Sequence, residues 1–222
     1  MQKTVCRIRR SKILLVFFFI CLLNKGVADA QERSNKRGLA YNIPYAEDLP
    51  TLSKGISWFY NWGVNPGLQV IDKFSQYLEY VPMAWNGVNA DALRTFKAKY
   101  PECQYLLAFN EPNLTDQANM TPTQAAAKWP VVKAIAQELG LKIISPAMNY
   151  GTLAGYGDPI VWLDEFFTLV PLSDVDGIAV HCYMNNVPAL ESFINRFKKY
   201  GKPIWLTEFC AYEQNQGLTP DK

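Results

Sequence analysis

A complete strand–helix–strand unit can be read in residues 105–149, YLLAFNEPNLTDQANMTPTQAAAKWPVVKAIAQELGLKIISPAMN. The run Tyr105–Asn110 is apolar up to its last residue, as expected of a strand that is buried on both faces. The Thr-Pro pair at 121 is a helix-start signal, and the helical pattern Thr121–Leu139 ends at a glycine. A second apolar run, Lys142–Ala147, follows at once. This order predicts parallel strands that are joined by a helix.

The same alternation extends in both directions from this unit. Asn89 is a candidate N-cap for the helix that precedes it. The predicted strands are Gly38–Asn42, Ile56–Trp62, Tyr80–Trp85, Tyr105–Asn110, Lys142–Ala147, Gly177–Tyr183 and Pro203–Glu208, and the clear helices are Asp91–Tyr100, Thr121–Leu139, Ile160–Leu169 and Ala189–Tyr200.

Seven strands without a long linker predict one α/β domain, a (β/α)8 TIM barrel. A doubly wound sheet is the alternative, but it normally has a glycine-rich loop after its first strand, and residues 41–44, Tyr-Asn-Ile-Pro, do not form one. A barrel of eight strands needs an eighth β/α unit. The sequence ends at Lys222, where the Thr-Pro pair at 219 has the form of another helix start. We therefore expect a barrel that is truncated before helix seven and strand eight, and that does not close on its own.

The first thirty residues have the order of a secretory signal peptide. Five basic residues between Lys3 and Lys12 precede the apolar run Ile13–Leu23, and small residues at 28 and 30 predict cleavage before Gln31. The apolar run is too short to span a membrane, which takes about 20 residues. We expect a signal peptide at 1–30, a catalytic domain at 31–222, and a secreted protein of the extracellular space or cell wall with no membrane segment after cleavage.

Composition excludes several classes of protein. The full chain has 22 basic and 20 acidic residues; without the six basic and one acidic residues of the first thirty, 16 and 19 remain. A nearly neutral chain is not expected to bind nucleic acid. Cys103, Cys182 and Cys210 remain after cleavage and allow at most one internal disulfide. His181 is the only histidine, so no metal site is expected. We also expect no other cofactor, and we expect a monomer.

Carboxylates follow two of the predicted strands. Glu111 comes directly after Tyr105–Asn110, and Glu208 closes Pro203–Glu208. The active site of a (β/α)8 barrel lies at the carboxyl ends of its strands, and strands four and seven face each other across the barrel. Glycoside hydrolysis needs one carboxylic acid to protonate the leaving oxygen and one carboxylate to attack the sugar or activate water. The pair therefore predicts a glycosidase.

Here the chain resembles a known family. Asn-Glu after strand four, with Glu at the end of strand seven, resembles the large clan of retaining (β/α)8 glycosidases, and within that clan the chain looks like glycoside hydrolase family 128. The stretches that carry the resemblance are SWFYNWG (57–63), VPMAWN (81–86), LLAFNEPN (106–113), QANMTPTQAAAKW (117–129), IISPAMN (143–149), GIAVHCY (177–183) and KPIWLTEFC (202–210). The resemblance implies retaining cleavage of β-1,3-glucan, with Glu111 as acid/base and Glu208 as nucleophile. The sequence does not decide between endo and exo action, of which we expect endo action.

Further residues are expected to contact the sugar. The resemblance implies that Asn110 bonds the 2-hydroxyl and that Tyr183 donates to Glu208. His181, two residues before Tyr183, is expected on the same strand face, and the resemblance implies that this pair lies beside the nucleophile. The alternative for His181 is a buried core residue with satisfied hydrogen bonds. Trp85 is the expected stacking platform, and Tyr60 and Asn61 are expected glucose contacts. Trp58 and Trp62 could belong to the core or to the cleft, and Trp129, Trp162 and Trp205 are assigned to packing.

Two N-glycosylation sequons follow the predicted acid/base, at Asn113 and Asn119. A glycan at Asn113 would crowd the cleft, whereas Asn119 is at least as suited to bracing a loop. Two other functions stay open at this point. One is a glycosidase for a β-1,4- or β-1,6-linked glucan, and the other is a carbohydrate-binding or sensor protein on a glycosidase fold, against which the retention of both glutamates argues.

Overall fold

Seven short strands and five α-helices alternate through residues 33–210, the part of the chain that the computed structural model describes. These residues lie in one compact unit that begins at Arg33. In chain order the elements are β1 Gly38–Ala40, α1 Leu49–Leu52, β2 Trp58–Tyr60, β3 Glu79–Tyr80, α2 Ala90–Lys99, β4 Tyr105–Leu107, α3 Pro122–Glu138, β5 Lys142–Ile144, α4 Pro159–Leu169, β6 Ile178–Cys182, α5 Val187–Arg196 and β7 Ile204–Phe209.

Every strand pairing in this region is parallel, and spatial neighbours are neighbours in sequence. The strands β1–β2–β3, β4–β5 and β6–β7 form hydrogen-bonded sheets. Single parallel bridges connect these sheets, Met83 with Leu107 and Ile144 with Gly177. The predicted α/β alternation is confirmed. The order does not reverse anywhere along these seven strands, unlike that of a doubly wound sheet.

The predicted strands are too long, mostly at their carboxyl ends. The run Tyr80–Trp85 pairs regularly only over Glu79–Tyr80 and then keeps a single bridge at Met83. The run that was predicted to end at Trp62 leaves its ladder at Tyr60, because Trp62 has a φ of 64°, which no extended strand allows. Apolar character continues past β3 because Val81, Met83 and Ala84 are buried in the core.

Helices α3 and α4 cover β4 and β5 with an aromatic layer. Trp129 of α3 packs on Phe166 of α4 at a ring distance of 5.3 Å, and Trp162 stacks on Phe166 at 5.2 Å. The indole of Trp162 also donates to the carbonyl oxygen of Met120 at 2.8 Å. Both tryptophans are buried, as predicted. Trp205, also assigned to packing, is partly buried and lies against Trp58 and Tyr105.

Polar residues cap the helices where the sequence predicts it. The side chain of Asn89 accepts the amide of Ala92 at the start of α2. Thr121 and Gln124 form a reciprocal capping box at the start of α3, with bonds of 3.3 and 2.9 Å. Together with the proline that follows Thr121, this box fixes where α3 begins after the loop that carries Glu111.

Two sequence predictions lie outside the described residues. They are the signal peptide at 1–30 and the helix start at 219–220. Within residues 33–210, no helix is long and apolar enough to cross a membrane.

Substitution of Thr121 tests the capping box. Thr121→Ala should lower the free energy of unfolding by about 1 kcal/mol, because the amide of Gln124 loses its partner. For a domain of this size the melting temperature should fall by about 2–4 °C, as measured by circular dichroism. Thr123→Ala is the matched control, since Thr123 is exposed on the same turn and outside the box. Equal shifts in both variants would contradict the assignment.

Candidate active site

A cavity of about 350 Å³ opens at the carboxyl ends of the strands. Its lining comes from the segments that follow β2, β3, β4 and β6 and from β7 itself. The lining residues are Trp62, Trp85, Asn110, Glu111, Gln117, Tyr183 and Glu208. Both predicted catalytic carboxylates thus lie in one cavity, with Asn110, Tyr183 and Trp85 from the predicted set.

Glu111 is held in an unusual backbone conformation. Its φ is 43°, in the left-handed region that non-glycine residues seldom adopt. Its amide donates to the carbonyl oxygen of Ala147 at 3.1 Å, and its own carbonyl accepts the amide of Leu114 at 3.0 Å. The side chain is buried apart from a small exposed fraction. The turn therefore ends the run of β4 and aims the carboxylate into the cavity.

Each carboxylate oxygen of Glu208 accepts at least one hydrogen bond. The hydroxyl of Tyr60 and the indole nitrogen of Trp62 both donate to Oε1 at 2.7 Å. The hydroxyl of Tyr183 donates to Oε2. Burial favours the neutral acid, but attraction to His181 and these three hydrogen bonds outweigh it and hold the pKa of Glu208 below its ordinary value. Glu208 is therefore an anion at neutral pH.

The two tyrosines are correspondingly held as neutral phenols. Burial raises the pKa of Tyr60, and so does the neighbouring charge of Glu208. Burial and the hydrogen bond to Glu208 raise the pKa of Tyr183 in the same way. Both hydroxyls therefore keep the proton that they donate to the carboxylate.

His181 lies between the two carboxylates. Its Nδ1 is 3.0 Å from Oε1 of Glu111, and its Nε2 is 3.4 Å from Oε1 of Glu208. A register shift between β6 and β7 creates this contact. Val180 pairs with Leu206, but His181 pairs with Glu208, so Thr207 is an extra residue in β7. His181 and Glu208 thereby become lateral neighbours, and one imidazole contacts both acids.

Asn110 is buried beside Glu111. Its Nδ2 donates to Oε1 of Gln117 at 3.1 Å. Its Oδ1 is buried without a hydrogen-bond partner within residues 33–210. Gln117 lies in the loop between β4 and α3 and was missed by sequence reasoning, because nothing in that polar loop distinguishes it from its neighbours.

Three of the predicted substrate contacts have partners within the protein. Tyr60 and His181 are fully buried, Tyr60 bonds Glu208, and His181 contacts both Glu111 and Glu208. Contact of these two residues with a sugar stays a prediction. The side-chain oxygen of Asn61 accepts the hydroxyl of Tyr80 and the amide of Gly63, the latter at 3.3 Å, and so braces the turn after β2. Period-two alternation could not reveal this, since it predicts which residues share a face but not which face is open.

The tryptophans divide between core and cleft. Trp85 and Trp62 line the cavity, and Trp62 also bonds Glu208. Trp58 is partly buried and packs on Trp205, with ring centroids 5.7 Å apart. The role of Trp85 as a stacking platform stays a prediction.

The sequon at Asn113 is buried. The Asn113 side chain has no exposed surface, and its Nδ2 donates to the carbonyl oxygens of Asn149 and Tyr156 at 2.7 and 3.2 Å. A glycan at Asn113 is therefore incompatible with this fold. Asn119 is exposed and has a φ of 48°, a left-handed turn conformation that asparagine tolerates.

Neither a disulfide nor a metal cluster occurs within residues 33–210. Cys103, Cys182 and Cys210 are free thiols. Burial raises the pKa of Cys103 to about 11. No group of three or more His, Cys, Asp or Glu side chains in the same region could hold a metal ion.

Comparison with known families and curated proteins gives two matches. A family model described as "Glycosyl hydrolase catalytic core" matches residues 38–221. Alkali-sensitive linkage protein 1 of Schizosaccharomyces pombe is 32% identical over 198 residues, which cover 84% of this chain and 33% of that protein. The chain thus spans about a third of the length of this curated relative.

Solved structures are also similar to this chain. An endo-β-1,3-glucanase of glycoside hydrolase family 128, subgroup II, from Pseudomonas viridiflava is 40% identical, with a TM-score of 0.76 over 83% of this chain and 74% of that chain. A subgroup I endo-β-1,3-glucanase from Amycolatopsis mediterranei, in complex with laminaritriose, is 31% identical, with a TM-score of 0.65 over 82% of this chain and 74% of that chain.

Removal of one donor should change the titration of Glu208. In Tyr183→Phe the carboxylate loses a hydrogen bond that favours its charged form, so its pKa should rise toward the ordinary value of 4.5. Carbon-13 NMR of the glutamate carboxyls as a function of pH measures this, with Glu208→Gln to assign the resonance. Tyr150→Phe is the control, because Tyr150 contacts Arg196 and Phe193 instead. An unchanged Glu208 titration in Tyr183→Phe would contradict the site geometry.

Proposed function

Because the chain belongs to the glycosyl hydrolase catalytic core family, and within it to glycoside hydrolase family 128, we propose that it hydrolyses β-1,3-glucan with Glu111 as acid/base and Glu208 as nucleophile. The observation that carries this proposal is the pair of carboxylates in one cavity, joined through His181 and held in different environments. Two titratable groups with different surroundings are the usual basis for separate acid and nucleophile roles.

In the first step Glu208 attacks the anomeric carbon. An Oε atom of Glu208 forms the new C–O bond while the glycosidic C–O bond breaks, and the bonding electrons leave with the glycosidic oxygen. Glu111 gives its proton to that oxygen and becomes a carboxylate. The hydroxyls of Tyr60 and Tyr183 and the indole of Trp62 orient the attacking carboxylate.

In the second step water releases the sugar from Glu208. Glu111, now a carboxylate, takes a proton from the water as the water oxygen bonds to the anomeric carbon. The ester bond to Glu208 breaks, and both carboxyl groups return to their starting states. Glu111 thus serves once as acid and once as base, as retention of configuration requires.

The contacts of Glu208 favour retention over inversion. In an inverting enzyme the second carboxylate must take a proton from water, and the two acids are about 6.5–9.5 Å apart to admit that water. Both oxygens of Glu208 already accept hydrogen bonds from protein donors, and its pKa is lowered. Such a carboxylate is a weak base but remains able to form a bond to carbon.

Asn110 and Trp85 suit two different parts of the bound sugar, a hydroxyl group and a ring face. Asn110 is buried next to Glu111 and lines the cavity, which is where a 2-hydroxyl would lie, and such a contact strengthens in the transition state. Trp85 is partly exposed in the same cavity and offers a ring face to a pyranose. Endo action, binding of β-glucan oligosaccharides and a monomeric state form part of the proposal.

The finer architecture and the location of the protein are also proposed. Seven sequential parallel strands, with both acids at their carboxyl ends, support a (β/α)8 barrel within a catalytic domain at 31–222. The basic and apolar start of the sequence supports a signal peptide at 1–30 and secretion to the extracellular space or cell wall.

Hydrolysis of laminarin by the full chain tests the reaction and its stereochemistry. Proton NMR should show β-anomeric reducing ends first, with α-anomers rising later by mutarotation, and short oligosaccharides should precede glucose. An initial α-anomer would reject retention. Activity on β-1,4- or β-1,6-glucan alone would reject the linkage, and binding without cleavage of any of these glucans would make the protein a carbohydrate-binding protein.

Substitution of either acid tests the residue roles. Glu111→Gln and Glu208→Gln should each lower kcat on laminarin by at least about 100-fold, since each step loses its proton donor or its nucleophile. Glu79→Gln is the matched control. Glu79 is also partly buried, but it lies at the start of β3, away from the carboxyl ends, and burial raises its pKa. Near-native rates in either site variant would show that the assignment is wrong.

A further inference from the structure

One side chain that has no part in the mechanism above contacts the acid/base. Asn149, in the segment after β5, donates from Nδ2 to Oε1 of Glu111 at 3.2 Å. The same Oε1 is the atom that lies 3.0 Å from Nδ1 of His181. Within residues 33–210, no hydrogen bond is made to the other oxygen, Oε2. The two carboxyl oxygens of Glu111 are therefore in different surroundings.

The orientation of the Asn149 amide is fixed by its neighbour. The backbone amide of Tyr150 donates to Oδ1 of Asn149 at 2.8 Å. A backbone N–H can only donate, so this end of the side chain must be the oxygen. The end that faces Glu111 is consequently the NH₂ group, which has no acceptor capacity. Oε1 of Glu111 accepts this bond, and because a carbonyl oxygen is a better acceptor than the oxygen of an O–H group, the bond favours the form of the acid with its proton on Oε2.

The backbone around Asn149 is clamped to the loop that carries Glu111. Asn113 donates from Nδ2 to the carbonyl oxygen of Asn149 at 2.7 Å, and its own carbonyl accepts the amides of Thr152 and Leu153 at 3.0 and 2.9 Å. Gly151 permits this approach, because a Cβ there would lie 2.3 Å from the Asn113 carbonyl oxygen. The position of Asn149 relative to Glu111 is thus set by several bonds.

We propose that Asn149 is a positioning residue that selects which oxygen of Glu111 carries the transferable proton. The inference rests on the proposed function. With Oε1 fixed as an acceptor, the acid form of Glu111 is protonated on Oε2, and Nδ1 of His181 carries a hydrogen. In the first step the Oε2–H bond breaks, its proton bonds to the glycosidic oxygen, and the electron pair stays on Glu111.

Loss of the amide opens an unproductive alternative. Without Asn149, Oε1 can be protonated and can donate to Nδ1 of a neutral His181, which lies at hydrogen-bond distance. The acid proton is then turned toward the histidine and away from the leaving oxygen. Acid catalysis should suffer, whereas attack by Glu208 should not. The effect should therefore depend on how much the leaving group needs protonation.

Two substrates separate these effects. Laminaripentaose has a sugar leaving group that needs the proton, and 2,4-dinitrophenyl β-laminaribioside has one that leaves without it. In Asn149→Ala, kcat/KM for laminaripentaose should fall by about 10- to 100-fold. For the dinitrophenyl substrate, kcat/KM should stay within about two-fold, because it reports only the steps up to departure of the leaving group.

Two further variants guard against a purely structural effect. Asn149→Leu keeps the bulk of the side chain but can neither donate to Glu111 nor carry a charge. The Asn113 bond to the backbone carbonyl of residue 149 still holds the loop, so this variant should show the same split between substrates. Thr152→Ala removes a different bond between the same loops, from Thr115 to Thr152 at 2.9 Å, and does not touch Glu111. It should leave the ratio of the two kcat/KM values unchanged.

Each outcome decides the matter. A split in both Asn149 variants and none in Thr152→Ala supports the inference. Equal losses on both substrates, no loss on laminaripentaose, or the same split in Thr152→Ala overturns it. If the unmodified chain cleaves neither substrate, the proposed function fails and this inference fails with it, which is distinct from a failure that is confined to the variants.

Discussion

A buried negative charge governs the architecture of this site. An unpaired carboxylate in a protein interior costs several kcal/mol, so Glu208 needs donors from several directions. Tyr60 and Trp62 provide them from the end of β2 and Tyr183 from the segment after β6, and Nε2 of His181 lies 3.4 Å from Oε1 of Glu208. These residues form two pairs, Tyr60 with Trp62 and His181 with Tyr183, that are 121 residues apart in sequence. Their convergence is possible only because the parallel strands bring all of their carboxyl ends to one edge.

Local strain is concentrated where that convergence is needed. Within residues 33–210, three non-glycine residues have positive φ, and two of them, Trp62 and Glu111, carry site side chains. Such conformations cost about 1–3 kcal/mol each and persist only where the surroundings fix them. The indole bond to Glu208 fixes Trp62, and the bonds to Ala147 and Leu114 fix Glu111. The extra residue Thr207 in β7 is a similar local irregularity, and it brings His181 next to Glu208.

Sequence reasoning identified the parts of this site that depend on order along the chain. Strand alternation, the cap at Thr121 and the two glutamates at strand ends all follow from local pattern. It failed where placement depends on a single backbone irregularity. The positive φ of Trp62 and the register shift before His181 have no periodic signal, so Trp62 was left undecided and the contact of His181 with both acids was not predicted. The amide of Asn149 was invisible because its partner lies 38 residues away.

The buried clamp at Asn113 has a consequence for producing the protein. Oligosaccharyltransferases modify sequons on the growing chain before it folds, and a linked glycan leaves one N–H on the side-chain nitrogen. That nitrogen donates to two carbonyl oxygens here and has no exposed surface. A molecule modified at this position can neither make both bonds nor bury the sugar. A host without N-glycosylation avoids this loss, whereas in a eukaryotic secretory host the yield is set by competition between modification and folding.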